Sequence, residues 1–251
     1  MATSTRVGTI TGLWIALVFL CRAQGQPPLE FDVAAIHPDI IGASAGTSFN
    51  LFDGGRLRVT NATLQFLIGS AYHVQADQII GGPAWLDSDR YDIDAKPAMP
   101  EDITRDQLRE MLQRLLADRF QLKIHRETRE RTVYALVTGK NGPRLKDHDG
   151  GPGSTLNTHT EAGKIALTGT NASMDQLAAY IGNKLGRVVL DKTGLHGSYD
   201  FTFEWDSEQA ADSAMPTMFT GLQEQLGLRL ETQKSAVEVL MVDKAEQASG
   251  N

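Results

Sequence analysis

Several short groups of residues have the types and spacing that chemistry uses. Gly42-Ala43-Ser44-Ala45-Gly46 has the G-x-S-x-G spacing of a serine hydrolase. That chemistry needs a tight strand-to-helix turn that exposes the serine. A strand pattern precedes it, but the residues that follow, through Asn50 and Asp53-Gly54-Gly55, do not read as a helix. A Gly-rich surface loop is therefore the stronger reading, with an exported hydrolase using Ser44 as the alternative.

The six histidines are His37, His73, His125, His148, His159 and His196. None form a pair at helical metal spacing, and no H-E-x-x-H occurs. His148 and His159, with Asp147 and Asp149, are the one loop group with metal-type ligands, against a solvated loop. Asp87, Asp89, Asp92 and Asp94 are dense, yet they do not follow an EF-hand loop, and a solvated turn and strand face fits better. No residue is assigned to catalysis or to a metal, and no cofactor is expected. Lys123, His125, Arg126, Arg129 and Arg131 read as a basic hairpin, interrupted by Glu127 and Glu130. Charges there protect sheet edges, which is the stronger reading over a binding patch for an acidic partner. No Gly-rich loop followed by Lys-Ser or Lys-Thr is present for nucleotide phosphates.

The candidate ligand-binding residues are Trp85, Asp89 and Arg90. Trp85 follows a Gly-Gly-Pro loop, with Asp89, Arg90 and Tyr91 close behind. An aromatic beside an arginine in a loop is binding-site material. The competing reading buries Trp85 as the cap of a core.

The elements that position these residues read as a duplicated α+β unit: two tandem copies, each with two helices packed on an antiparallel sheet. Thr60-Asn61-Ala62-Thr63-Leu64 recurs as Thr170-Asn171-Ala172-Ser173-Met174. Leu64, Leu67, Ile68, Ala71 and Tyr72 in one copy, and Met174, Leu177, Ala178, Ile181 and Leu185 in the other, have the spacing of a buried helix face. Thr63 and Ser173 stand at N-caps, and Ser173 with Gln176 forms a capping box. Tyr91 to Ala95 and Tyr199 to Trp205 alternate as half-buried strands. A second helix carries Leu108, Met111, Leu112, Leu115 and Leu116 behind a Thr104–Gln107 capping box. Its partner matches Met218, Phe219 and Leu222 to Met111, Leu112 and Leu115, with Pro216 in its first turn. Phe120 to His125, Val133 to Val137, Leu228 to Leu230 and Val237 to Val242 predict closing strands. Phe31 to Ile36 looks like a further example of the last of these.

These patterns divide the chain into a first unit over residues 29–139, a linker loop over 140–159, a second unit over 160–246 and a disordered tail over 247–251. Hydrophobic residues make up 41% and charged residues 22%, enough apolar material for a core. Residues 1–25 read as a signal peptide: Arg6, an apolar run from Val7 to Leu20, then small residues at Ala23 and Gly25. An uncleaved anchor is the rival reading. Leu20 stands before Cys21 where a lipoprotein signal would carry a small residue. Cys21 is the only cysteine, so a cleaved chain has no disulfide and no thiol chemistry. Cleavage would remove Arg6 and Arg22, so 24 Lys and Arg become 22 against 31 Asp and Glu, a formal charge of −9. That balance argues against nucleic acid and anionic membrane surfaces as partners and leaves room for a local basic patch.

Phe31-Asp32-Val33-Ala34, the Thr-Asn-Ala-Thr-Leu helix start, Gly81-Gly82-Pro83-Ala84-Trp85-Leu86, Leu115 to Phe120, Asp191-Lys192-Thr193-Gly194-Leu195 and Leu222 to Gly227 act together as landmarks. As a set they resemble the soil-associated family of uncharacterised exported bacterial proteins that carries the domain of unknown function 3738. Related domains are attached to antibiotic-receptor-like membrane metallopeptidases. The resemblance thus implies an extracytoplasmic sensing or binding role, and it carries over no catalytic residue. Each unit is also similar, at the level of fold, to the short N-terminal domain of secretins and TonB-dependent receptors. The expectation is a secreted or periplasmic, non-catalytic binding module with an envelope ligand or protein as partner and no membrane span after cleavage. A structural envelope protein acting through its sheet edges is a further alternative.

Overall fold

The computed structural model describes residues 30–39, 46–97, 103–151, 153–206 and 216–248. The expected signal peptide and Ser44 lie outside the described residues. The strands and α-helices run in the order β1 (Phe31–Pro38), β2 (Ser48–Leu51), β3 (Leu57–Thr63), α1 (Leu64–Tyr72), β4 (Ile79–Gly81), β5 (Arg90–Pro97), α2 (Arg105–Arg119), β6 (Lys123–Thr138), β7 (Lys146–Asp147), β8 (Thr155–Glu161), β9 (Lys164–Ala172), α3 (Met174–Leu185), β10 (Val189–Asp191), β11 (Tyr199–Asp206), α4 (Met218–Gln225) and β12 (Leu228–Lys244). This is an α+β fold.

The Thr-Asn-Ala-Thr stretch explains how strand turns into helix. The β3–β5 register shifts between Val59 and Ala62, a bulge that places Asn61 at φ 54°. Asparagine tolerates this left-handed region better than most residues. Two residues later, the Thr63 hydroxyl accepts the Phe66 N–H and caps α1. The second stretch has the same geometry: Asn171 at φ 52° beside a register shift in the β9–β11 pair, then a Ser173–Gln176 capping box on α3. The Thr104–Gln107 box opens α2, whose buried face is Leu108, Met111, Leu112, Leu115 and Leu116. Leu67 and Leu177 are both fully buried.

Three four-stranded sheets carry these elements. The first has the order β1-β5-β3-β2 and the third β7-β11-β9-β8. Between them lies β10-β6-β12-β4, in which β6 and β12 pair antiparallel along almost their whole length. Each of these two strands reaches past its own half. Leu240 and Val242 of β12 lie in the core around α1 and α2, whereas Leu136 of β6 lies in the core around α3 and α4. Short parallel strands complete the exchange: β4 pairs with Leu240–Val242, and β10 with Tyr134–Leu136. Gly82 permits the close crossing. Its φ is +78°, and a Cβ there would stand 2.2 Å from Leu86 Cδ1 and 3.0 Å from Val242 Cγ1.

Several expectations need correction. The basic hairpin at 123–131 does not exist; β6 is one strand of 16 residues. Arg126 to Arg131 contains no Gly, Pro, Asn or Asp to turn the chain. Its charges are matched across the ladder instead, Arg126 by Glu238 and Glu130 by Lys234. The 140–159 segment is not a loop throughout: it holds β7 and most of β8, because Thr-rich polar sequence can form an exposed edge strand. Phe31 to Ile36 forms the edge of the first sheet beside β5, outside the long ladder. Phe219 is 39% exposed, and Gly221 takes the buried place next to Leu222. Pro216 lies before the Thr217 N-cap, and its carbonyl accepts the Asp206 N–H. After Lys244 the chain does not fray at once: Glu246 N–H bonds the Phe120 carbonyl, and Ala245 and Ala248 pack on the first core.

Candidate functional site

Of the three candidate ligand contacts, two share a cleft. Asp89 and Arg90 line a cavity of about 400 Å³ together with Asp39, Ser88, Tyr91 and Gln247. Antiparallel pairing of β1 with β5 brings Pro38 opposite Tyr91, and the Asp39 N–H then bonds the Arg90 carbonyl at 2.8 Å. The docked tail brings Gln247, whose amide donates to Asp89 Oδ2 at 2.5 Å. Trp85 is not among these lining residues. It sits in a 3-10 turn, Ala84–Asp87, partly buried against the first core, as the core-cap reading has it.

Arg90 is tied into the fold on one side. Its Nη1 donates to the Asn61 carbonyl at 2.9 Å, so it braces the left-handed residue from the oxygen side. A guanidinium carries five N–H donors, and one such bond leaves others for a ligand. Burial, with the Asp89 carboxylate adding to it, pushes the Tyr91 phenol above its ordinary value, so it stays a neutral hydroxyl. The cleft thus offers carboxylates and a guanidinium within one small space, a set suited to holding an ion pair; the Tyr91 ring itself is buried against Phe120.

The corresponding place in the second half is built differently. The His148 N–H bonds the Ser198 carbonyl at 2.9 Å, as Asp39 bonds Arg90. His148 Nδ1 contacts Asp200 Oδ1 at 2.8 Å, and the same oxygen accepts the Asn171 N–H at 3.0 Å. The Asn171 N–H and then His148 hold the Asp200 carboxyl below its ordinary range. His159 lies elsewhere, on edge strand β8, with Glu161 at 3.6 Å. The loop histidines therefore each have their own carboxylate. Among the described residues no group of three His, Cys, Asp or Glu is placed to hold a metal ion.

The aspartate cluster divides by role. Asp92 accepts the Asn61 N–H, and Asp94 takes Arg56 at 2.5 Å and Arg58 at 3.2 Å. Sequence reasoning missed Asp39 and Gln247. Each is far from Asp89 along the chain, and only long-range pairing and tail docking bring them in.

The landmark motifs make fold contacts. Arg119 donates to the Ala34 carbonyl at 2.9 Å, and Asp191 Oδ1 accepts from both the Thr193 N–H and its hydroxyl. The Gln225 amide bonds Glu204 through both its oxygen and its nitrogen. An α+β protein whose characteristic motifs build bulges, caps and strand crossings, with a small charged cleft at one bulge, is the class these observations define. The chain belongs to the family described as protein of unknown function DUF3738, whose model matches residues 65–245. No curated protein and no solved structure matches the chain. Among the described residues no helix is long and apolar enough to cross a membrane.

Proposed function

We propose that this chain is an exported, non-catalytic binding or sensing module of the bacterial cell envelope, secreted or periplasmic, built from two copies of one α+β unit. Its first copy takes a small zwitterionic ligand, an amino acid or short peptide, in the cleft beside Arg90. The observation that carries the reading is the cleft of about 400 Å³, lined by Asp39, Asp89 and Arg90 together. Carboxylates and a guanidinium in one space match an ammonium and a carboxylate on one ligand. The duplication is supported by the paired bulges at Asn61 and Asn171 and by the like orders of the two outer sheets. The copies differ at this place: Asp39 and Arg90 line a cleft in one, while His148 is bonded to Asp200 in the other.

The test is calorimetric titration of the purified protein with free amino acids and dipeptides. Saturable binding to at least one is expected, with loss of about tenfold or more in affinity in Asp89→Asn. Arg90→Ala is less diagnostic, because Arg90 also bonds the Asn61 carbonyl. If none of these probes binds, or Asp89→Asn binds equally well, the ligand reading fails. Export has its own test: N-terminal sequencing of protein from the native envelope should begin at Gln24 or Gln26, and an intact Met1 there would refute cleavage.

A further inference from the structure

A second cavity combines apolar lining with unbalanced positive charge. It has a volume of about 330 Å³ and lies among β2, α1 and α2. Phe49 and Leu51 come from β2, and Leu108 and Leu112 from the buried face of α2. Arg105 and Arg109, one turn apart and so on one side of α2, complete it. Arg109 is engaged: Nη1 meets Asp106 at 2.6 Å, and Nη2 lies 3.4 Å from His73 Nδ1. Arg105 is exposed and has no hydrogen-bond or ion-pair partner among the described residues.

Two features here are unfavourable for the protein by itself. Arg105 is the first residue of α2, the end where the peptide dipoles disfavour a cation. Large apolar side chains are exposed nearby in sequence and structure: Leu51 by 38%, Phe52 by 48%, and Phe66 of α1 by 41%. Phe66 packs edge-on against Phe49 with ring centroids 6.3 Å apart, so it continues the apolar lining outward. Scattered exposed apolar residues are ordinary, but a cluster bordering a cavity marks a binding surface. The chain is acidic, with a formal charge of −7, yet the described lining of this cavity carries Arg105 and Arg109 and no carboxylate.

We propose that this cavity binds a single-chain alkyl carboxylate. The alkyl chain lies against Phe49, Leu51, Leu108 and Leu112, and the carboxylate is taken by Arg105, whose planar fork matches it in two-point fashion. The volume is at the small end of ligand cavities, which suits one alkyl chain rather than a two-chain lipid. This site shares no lining residue with the Asp89–Arg90 cleft and stands or falls independently of it.

The experiment titrates the purified protein with sodium octanoate and, separately, with 1-octanol, below micellar concentrations. Octanoate is expected to bind at least about tenfold more tightly than octanol. Arg105→Gln should remove most of that difference and leave octanol binding unchanged, while Leu51→Ala should weaken both. Far-ultraviolet circular dichroism of each variant checks that it is folded, and Asp89→Asn should bind octanoate normally. Equal binding of acid and alcohol, no effect of Arg105→Gln, or no saturable octanoate binding overturns the proposal. Arg105-dependent cosedimentation with phosphatidylglycerol vesicles, without octanoate binding, would assign the surface to membranes and likewise overturn it.

Discussion

The backbone N–H of Asn61 donates to Asp92 Oδ1 at 2.9 Å across the β3–β5 bulge. Arg90 holds the carbonyl of the same residue. A residue at φ 54° is thus clamped at both ends of its peptide groups, and the strand is released into α1 at a fixed angle. Asp92→Ala should cost about 1.5–3 kcal/mol, the usual range for a lost bond to a charged group. Asn61→Ala should cost more than Asn61→Gly, because alanine pays about 1–2 kcal/mol for left-handed backbone and glycine does not. Urea denaturation of the three variants checks both statements. Equal losses for alanine and glycine would mean that the Asn61 side chain, not its backbone angle, matters.

The strand exchange predicts damage at a distance along the chain. Leu240 is fully buried in the core of α1 and α2, though it belongs to the last strand. Leu240→Ala should lower stability by about 2–5 kcal/mol, as cavity-forming substitutions do. Hydrogen exchange should then rise first in α1 and α2, and Leu136→Ala should loosen α3 and α4 instead. If Leu240→Ala loosens α4 first, the cores are not crossed in the way the packing requires.

This exchange is also where sequence reading stopped. Helix faces and caps were legible because they are local: the spacing of Leu108 to Leu116 and the Thr104–Gln107 pair lie within one element. Pairing of Lys123–Thr138 with Leu228–Lys244 joins residues about a hundred positions apart, and no periodicity encodes that. The charged run from Arg126 to Arg131 looked like a turn because its partners, Glu238 and Lys234, are on the other strand. Phe219 was misplaced for a different reason. Met218 and Phe219 are adjacent apolar residues at the start of an eight-residue helix, so two registers fit the letters. At the cleft, Asp89 and Arg90 were legible as neighbours, while Asp39 arrived only through β1 pairing.

Asp94 gives a pH dependence with a definite sign. Its bonds to Arg56, and then Arg58, hold its carboxyl at about 2, against 3.8 ordinarily. A depressed folded value means that the unfolded chain binds the proton first, so stability is present above about pH 4 and lost as pH falls toward 2. The side chain is 35% exposed, so solvent screening limits the contribution to about 1 kcal/mol or less. Asp94→Asn should therefore be less stable than the parent at pH 6 and converge with it near pH 2. Denaturant midpoints across that range measure it, and a constant gap at every pH would show that the ion pair is not its source.

Asp77 has the opposite sign. It lies in the 3-10 turn Ala76–Gln78 where the two halves meet: Gln78 Nε2 bonds the Glu238 carbonyl, and Gln75 bonds Asn183. Its Oδ1 is buried without a hydrogen-bond partner among the described residues, and Oδ2 accepts a long bond, 3.4 Å, from the Val188 N–H. Burial pushes this carboxyl above 3.8; the Val188 N–H and the charges of Arg131 and Arg187 pull it back only in part. A raised folded value means that the folded protein binds the proton more tightly than the unfolded chain. Stability from this group is then fully present below 3.8 and is lost as pH rises through the folded value. At pH 7 the ionised carboxylate then costs stability relative to its protonated form. Asp77→Asn keeps an oxygen for Val188 and removes the buried charge, so it should raise the denaturant midpoint at pH 7. The advantage should shrink as pH falls toward 4, where the parent's own carboxyl takes up a proton. A variant less stable than the parent at pH 7 would mean that attraction to Arg131 and Arg187 outweighs burial, and Asp77 would then be an ionic tie between the halves rather than a strained one.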